Sequence, residues 1–402
     1  ANRLDVSGSN FVVDAACASS LSALKAACQE LLLGDCDIAV AGGADTHNGI
    51  GDYVMFSSVG ALSKKGTSRP FDKDADGIVL GEAVACVVLK RVTDAVRDGD
   101  RIYATIRGIG SSSDGRATGL TAPRLEGQYL ALQRAYAAAQ VSPASVDLIE
   151  AHGTGTVVGD RTELQALTNF MTDNGMEKGS CVIGSLKSQF GHTKCAAGML
   201  GIVKAALSIN QGVLPPMAGL AHPSAVWRPD SSPFVFRDTP APWAANLESR
   251  VAGVSAFGFG GTNYHCVLTG EHATTRPLHD PRQPVLVALR GKTAADARET
   301  ATQARRTLEC DGDVEAVLET LSQHYSSTLE PVQFAFAFRT TNELLQLLEA
   351  AAGNANHPAL QRRSQNSSEQ SCLAILFSGQ GGQKVGMAQN VILRRPDLFW
   401  LV

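Results

Sequence analysis

The sequence predicts an α/β protein in which mixed sheets are covered by helices. Three observations carry this. From Phe11 to about Gly270, apolar runs of strand length alternate with helical patterns. The short runs are rich in β-branched residues. The first helical pattern stops at a glycine, Gly34.

In order, NFVVDA reads as a strand and ASSLSALKAACQELLLG as an amphipathic helix. CDIAVAGGA, EAVACVVLKRV and IYATIRGIGSSSD follow as strands. LEGQYLALQRAYAAA is a helix, VDLIEAH a strand, TELQALTNFM a helix, CVIGSLK a strand and AAGMLGIVKAALSI a helix. RVAGVSAFGFGGTNYHCVLTG reads as strand, glycine turn and strand. Composition shifts after Gly270: residues 271–293 are rich in Pro, His and Arg. The charged helix AADARETATQARRTLE, the strand QFAFAFR and the helix NELLQLLEAAA then make a small α/β unit. RRSQNSSEQS, residues 362–371, reads as a linker, and CLAILF opens a new strand that runs into SGQGGQ.

The chain has 402 residues, enough for two or three domains, and 44% of them are apolar. A net charge of −4 with no Lys or Arg run argues against nucleic acid or an anionic membrane as partner. No apolar run is long enough to span a bilayer, and the N-terminus has no signal-peptide pattern. The absence of a starting Met suggests an internal fragment. Nine cysteines with no CxxC pair speak against a disulfide framework or a metal site and for a reducing cytoplasm. Cys28, Cys86 and Cys266 lie in apolar patterns and are expected in the core.

Cys17 differs, because it stands where a strand gives way to a helix, among Ala15, Ala16 and Ala18. A helix N-terminus stabilises a thiolate, which predicts a lowered pKa, and the cysteine's own N–H can hold an oxyanion. Position alone leaves a nucleophile and a buried core cysteine equally open. His152 ends a strand and heads a glycine loop with Thr154 and Thr156 beside it. His192 lies just before a helix, which disfavours imidazolium and suits a neutral hydrogen-bond donor. Lys187, five residues earlier, follows a strand, and a solvated lysine is the alternative. Asp160 to Glu163, DRTE, has the spacing of a capping box, and Glu163 is also placed to supply a counter-charge for Lys187. SAFGFGGTN lacks a phosphate-loop pattern and runs into a strand, so it reads as a tight turn offering a backbone N–H with Phe259 as a movable lid.

DAACASSL, DGRATGLTAP, EAHGTGT, SLKSQFGHTKCAAG and SAFGFGGTN occur in an order that resembles the β-ketoacyl synthase domain of multidomain polyketide and fatty acid synthases. The resemblance covers residues 1–270. It implies the thiolase fold, a layered α-β-α-β-α arrangement with mixed sheets. It makes residues 271–371 a small α/β linker domain between ketosynthase and acyltransferase. It makes 372–402 the beginning of an acyltransferase domain, on the strength of LFSGQGGQKVGM; no GxSxG is present, so no acyltransferase activity is expected here.

By the same resemblance, Cys17 is the acyl-accepting nucleophile, and His152 and His192 polarise the malonyl thioester. Lys187 orders His192, with Glu163 as its acidic partner. The amides of Cys17 and Phe259 form the oxyanion hole, Phe259 is the gate, and Thr154 and Thr156 bind the phosphopantetheine arm. Asp114 takes an acidic position near the site. Acyl carrier protein, acyl and malonyl thioesters, the adjacent acyltransferase domain and a second copy of the chain are the implied partners. No cofactor or metal is held directly.

The sequence also departs from the family. AACASSL replaces TACSSSL, which resembles the polyunsaturated-fatty-acid, glycolipid and enediyne types of iterative synthase, and GDRTE replaces GDPIE. Lys194 and Cys195 stand where small residues are usual. Only sixteen residues precede Cys17, so a longer N-terminal segment is expected in the parent. A thiolase would carry a second cysteine in the glycine loop, and SAFGFGGTN has none. A non-catalytic scaffold, or a fragment folded only in its parent, is the competing reading.

Overall fold

A computed structural model describes Arg3 and residues 5–116, 119, 121–271, 285–311, 331–353 and 357–362, with 314, 317, 318 and 321. These residues form two compact units, one ending at 271 and the other beginning at 285. The strand expected at CLAILF and the acyltransferase start at 372–402 lie outside the described residues, as do 363–371 of the linker.

The first unit is built on a six-stranded sheet. Its strands are β3 (Thr105–Ser113), β4 (Leu148–Glu150), β5 (Cys181–Gly184), β7 (Phe234–Val235), β9 (Val251–Gly258) and β10 (Thr262–Thr269), in the order β3-β10-β9-β4-β5-β7. β10 runs antiparallel to β3 and β9, whereas the β9-β4, β4-β5 and β5-β7 pairs are parallel. The sheet is therefore mixed, as the alternating pattern required. A second sheet pairs β1 (Ile38–Asp45) with β2 (Ala83–Lys90) antiparallel. The two-residue strands β6 (Val213–Leu214) and β8 (Ala241–Pro242) form a small ladder.

Helices fill both sides of the six-stranded sheet. α4 (Leu125–Ala139) and α5 (Val157–Asp173) bury Leu132, Tyr136, Leu164, Leu167 and Phe170 on one face. α1 (Ser19–Leu33) and α7 (Ala197–Gln211) lie between the two sheets, burying Leu21, Leu24, Met199 and Ile202. The layers thus run helix, sheet, helix, sheet. The outer face of β1-β2 is bare: Val40 is 56% exposed, Val84 68% and Val88 71%. No fifth layer covers it among the described residues. α1 ends as predicted at Gly34, whose φ of +82° closes the last carbonyls. α4 lies directly on β3 because Gly108 and Gly110 carry no side chain there. A Cβ at Gly110 would sit 2.2 Å from the Ala131 carbonyl oxygen.

Several local expectations are corrected. NFVVDA forms no strand; Val12 is 96% exposed and has no partner strand among the described residues. Cys86 is exposed, because it faces outward from β2. α2 (Ile50–Ser58) and the short α3 (Val92–Arg97) have no counterpart in the sequence pattern. α6 (Lys187–Phe190) is a single turn that replaces the end of the expected CVIGSLK strand.

The second unit is a three-stranded antiparallel sheet, β11 (Val285–Arg290), β12 (Val332–Phe338) and β13 (Gln361–Arg362), with α8 (Ala294–Asp311) and α9 (Thr341–Gly353). Phe334, Phe336, Phe338, Leu344 and Leu348 form its core, and the opposite sheet face leaves Leu286 74% exposed. Among the described residues no helix is long and apolar enough to cross a membrane.

Candidate active site

Cys17 sits at the tip of a strained turn rather than at the end of a strand. Ala16 has φ +50°, a left-handed conformation that costs a residue with a Cβ about 1–3 kcal/mol. Ser19 fixes that turn: its hydroxyl accepts the Ala15 N–H at 2.9 Å and donates to the Ala16 carbonyl at 2.6 Å. Asp14 accepts the Ala16 N–H at 2.8 Å. The turn winds through residues 16–18 into α1 and buries the thiol.

Burial pushes the Cys17 thiol up to about 11, the reverse of the lowered value expected from a helix N-terminus. Desolvation of the thiolate outweighs the opposing effects of the Lys187 charge and of the Phe259 and Cys17 backbone N–H groups. The Phe259 N–H reaches the sulfur because Gly258 permits it. A Cβ at Gly258 would meet the Ala15 carbonyl oxygen at 2.3 Å. Phe259 itself lies in the β9–β10 turn, 39% exposed, with its ring 6.0 Å from that of Phe56. Asp114 braces this turn: its N–H donates to the Gly261 carbonyl at 2.8 Å and its carboxylate accepts from Asn263 at 2.7 Å.

The two histidines meet edge to face, with ring centroids 5.5 Å apart. His152 Nδ1 accepts the Phe257 N–H at 3.3 Å, and His192 Nδ1 accepts the Lys194 N–H at 3.1 Å. A backbone N–H can only donate, so neutral imidazoles here carry their proton on Nε2. His192 Nε2 is buried and has no partner among the described residues. Burial, then the Lys187 charge, holds both rings well below the usual histidine range. The site therefore offers neutral N–H donors at neutral pH.

The loop after β4 is clamped by α5. Glu163 accepts the His152 and Gly153 N–H groups, each at 2.7 Å. Asp160 accepts those of Thr154 and Gly155 at 3.1 Å and that of Phe71 at 2.7 Å. This corrects the capping-box reading. The helix starts at Val157 with Thr156 as N-cap, so Asp160 and Glu163 point inward from its first turns. Burial raises Asp160 to about 6 and Glu163 to about 7. The Thr154 and Thr156 hydroxyls are 3.0 Å apart.

Lys187 is buried, not solvated, and its ammonium donates to the His152 carbonyl at 2.5 Å. Two expectations change with that contact. Lys187 bonds the main chain of the first histidine, not the ring of the second. Glu163 acts on Lys187 only through its charge, and less than Glu150 does. Glu150 accepts the Leu186 N–H at 2.7 Å and pairs with Lys204 at 2.6 Å, fixing the turn that carries Lys187.

This geometry coincides with a family signature. Residues 1–95 match the N-terminal domain of β-ketoacyl synthase, 103–221 its C-terminal domain, and 231–335 the ketoacyl-synthetase C-terminal extension. The ketosynthase from module 1 of the bacillaene synthase of Bacillus amyloliquefaciens is 31% identical, with a TM-score of 0.64 over 96% of this chain and 68% of that one. The chain belongs to the β-ketoacyl synthase family. Its fold is the thiolase fold of those ketosynthases.

Among this chain's relatives, a polyunsaturated fatty acid synthase polypeptide of Thraustochytrium sp. is 37% identical over 98% of this chain. A phenolphthiocerol/phthiocerol polyketide synthase polypeptide of Mycobacterium tuberculosis is 38% identical over 98%. The chain spans only 15% and 21% of their lengths. Within the site, sequence reasoning missed the Ser19 brace, the Asp160 clamp and the Lys194 N–H. DRTE carried a signal for the clamp; a backbone donor at Lys194 has none, because any residue but proline supplies one.

Proposed function

We propose that this chain is the condensing region of a multidomain polyketide or polyunsaturated-fatty-acid-type synthase. It moves an acyl chain from an acyl carrier protein to Cys17 and joins it to a malonyl-type unit by decarboxylative Claisen condensation. The observation that supports this reading best is the pair of neutral imidazoles held by Nδ1, each with an Nε2–H to donate.

In the first half-reaction the Cys17 sulfur attacks the thioester carbonyl of the carrier's phosphopantetheine arm. The oxyanion forms against the Cys17 and Phe259 N–H groups, and the Lys187 charge favours the sulfur anion. Collapse expels the phosphopantetheine thiol, which takes the proton that Cys17 gives up. In the second, His152 and His192 donate to the malonyl thioester oxygen. Loss of CO2 leaves an enolate, whose carbon attacks the Cys17 thioester; this releases a β-ketoacyl product and the Cys17 thiolate, which takes a proton from water to restore the thiol. A resting thiol near pKa 11 means that the sulfur gives up its proton as it attacks, with the Lys187 charge and the two backbone N–H groups favouring the anion.

Thr154 and Thr156, paired at the loop, suit an amide-bearing pantetheine arm. Residues 1–270 are the ketosynthase, 271–371 the linker and 372–402 the start of an acyltransferase domain. The synthase works in the cytoplasm as a homodimer. The test is product formation: acyl and malonyl thioesters supplied together yield a β-ketoacyl thioester with the natural protein, and none with Cys17→Ala. Loading of Cys17 without malonyl decarboxylation would overturn the condensation reading.

A further inference from the structure

Lys194 has φ +45°, left-handed in a residue with a side chain. This conformation turns its N–H back onto the residue two places earlier, the Nδ1 of His192. Its own side chain goes inward and is buried. The ammonium lies 2.9 Å from the Asp45 carboxylate, and both side chains are nearly enclosed, at 11% and 12% exposure. It also donates to the Asn48 side-chain carbonyl. Asn48 in turn is tied by its N–H to Glu82 at 3.0 Å. One side chain thus fastens the turn after His192 to the end of β1. A small residue at 194 could not reach either partner.

We propose that Lys194 is a positioning residue for His192. Clasped by Asp45 and Asn48, it holds the left-handed turn whose N–H fixes the imidazole with Nε2 free for the extender carbonyl. The proposal rests on the ketosynthase reading for the step it serves, but its geometry does not.

The charged and titratable groups around His192 come from several elements. They are Lys187 of α6, His152 of the β4 loop, Cys17 on the turn packed against 194–196, Lys194 and Cys195 beside it, Asp45 behind Lys194, and Glu82 at the end of the 79–82 segment that bonds the His192 backbone. Lys187 and Lys194 both push the imidazole toward neutrality. Removing the Lys194 charge therefore raises the pH at which His192 loses its proton. Asp45→Asn keeps the lysine charge but loosens the same clasp.

The test compares Lys194→Met, Lys194→Arg and Asp45→Asn in the full-length natural protein. Deuterium exchange at the His192 ring C–H, followed against pH by peptide mass spectrometry, reads its protonation without needing turnover. Malonyl decarboxylation and Cys17 acylation are measured alongside. The expected result has the His192 midpoint moving up in Lys194→Met and little in Lys194→Arg. Decarboxylation relative to acylation falls about tenfold to a hundredfold in Met and Asn, as for a misplaced group, and recovers in Arg. Unmoved midpoints with an unchanged ratio overturn the proposal. A variant that loses acylation and decarboxylation together also overturns it, since that is a fold effect. Wild-type protein that loads Cys17 but never decarboxylates overturns the ketosynthase reading instead, and the midpoints then still decide whether Lys194 holds the ring.

Discussion

Glu163 accepts the backbone N–H of His152 at 2.7 Å, so the helix carboxylate holds the histidine by its main chain and leaves the ring to the Phe257 N–H. Its other oxygen takes the Gly153 N–H. Burial raises Glu163 to about 7 and Asp160 to about 6, against about 4.3 and 3.9 in an unfolded chain. The folded state therefore keeps these protons longer. Their contribution to stability is full below pH ~4 and is lost as pH rises to ~7. In Glu163→Gln that decline should flatten. The amide turns an N–H toward one of the two donors, which costs about 1–3 kcal/mol at pH 5. The deficit should shrink by pH 8. Urea unfolding at the two pH values checks this; an equal deficit at both contradicts it.

Cys17 should be slow to alkylate at neutral pH. Its rate with iodoacetamide should climb until pH is near 11, and Lys187→Met should push that limb higher, because the Lys187 charge lowers the thiol pKa. Intact-mass time courses across pH measure both. Rapid modification at pH 7 would contradict the burial argument.

Loss of either imidazole should separate the half-reactions. His192→Ala and His152→Ala should still acylate Cys17, whereas malonyl decarboxylation should fall about 10²–10³-fold for each donor removed. Single-turnover assays with the two substrates supplied separately resolve the steps. Equal losses in both would mean that the histidines act on the site's structure.

Gly110→Ala should destabilise the first unit by about 1–3 kcal/mol or more. Its Cβ would meet the Ala131 carbonyl and the Ala135 nitrogen at 2.2 and 2.3 Å, forcing α4 off β3. Gly51→Ala, with open space around it on α2, serves as the control. Thermal unfolding of the two variants checks the contrast.

The helices are legible wherever an apolar stripe and a glycine stop agree, as in α1 with Leu21, Leu24 and Gly34. The strands of the large sheet are legible because both of its faces are buried. α2 is not: Ile50, Val54 and Met55 are exposed, so its apolar residues do not mark a buried face. NFVVDA reads as a strand because β-branched residues report propensity, not the presence of a neighbour. At the site, motif order finds the chemistry-bearing residues but not the forces among them. A helix start predicts easy ionisation of Cys17, and burial reverses that. Family resemblance has Lys187 order His192, yet its hydrogen bond goes to the His152 carbonyl. Such contacts depend on which backbone atom faces which side chain, and residue type does not encode that.

The central claim is that Cys17 is the acyl acceptor. The measurement is intact mass after incubating the natural protein with a short acyl thioester, beside folded Cys17→Ala. The account predicts one acyl adduct on the wild type, mapped to Cys17, and none on the variant. No adduct on folded wild-type protein, or equal loading of the variant, would contradict it and bring the scaffold reading forward.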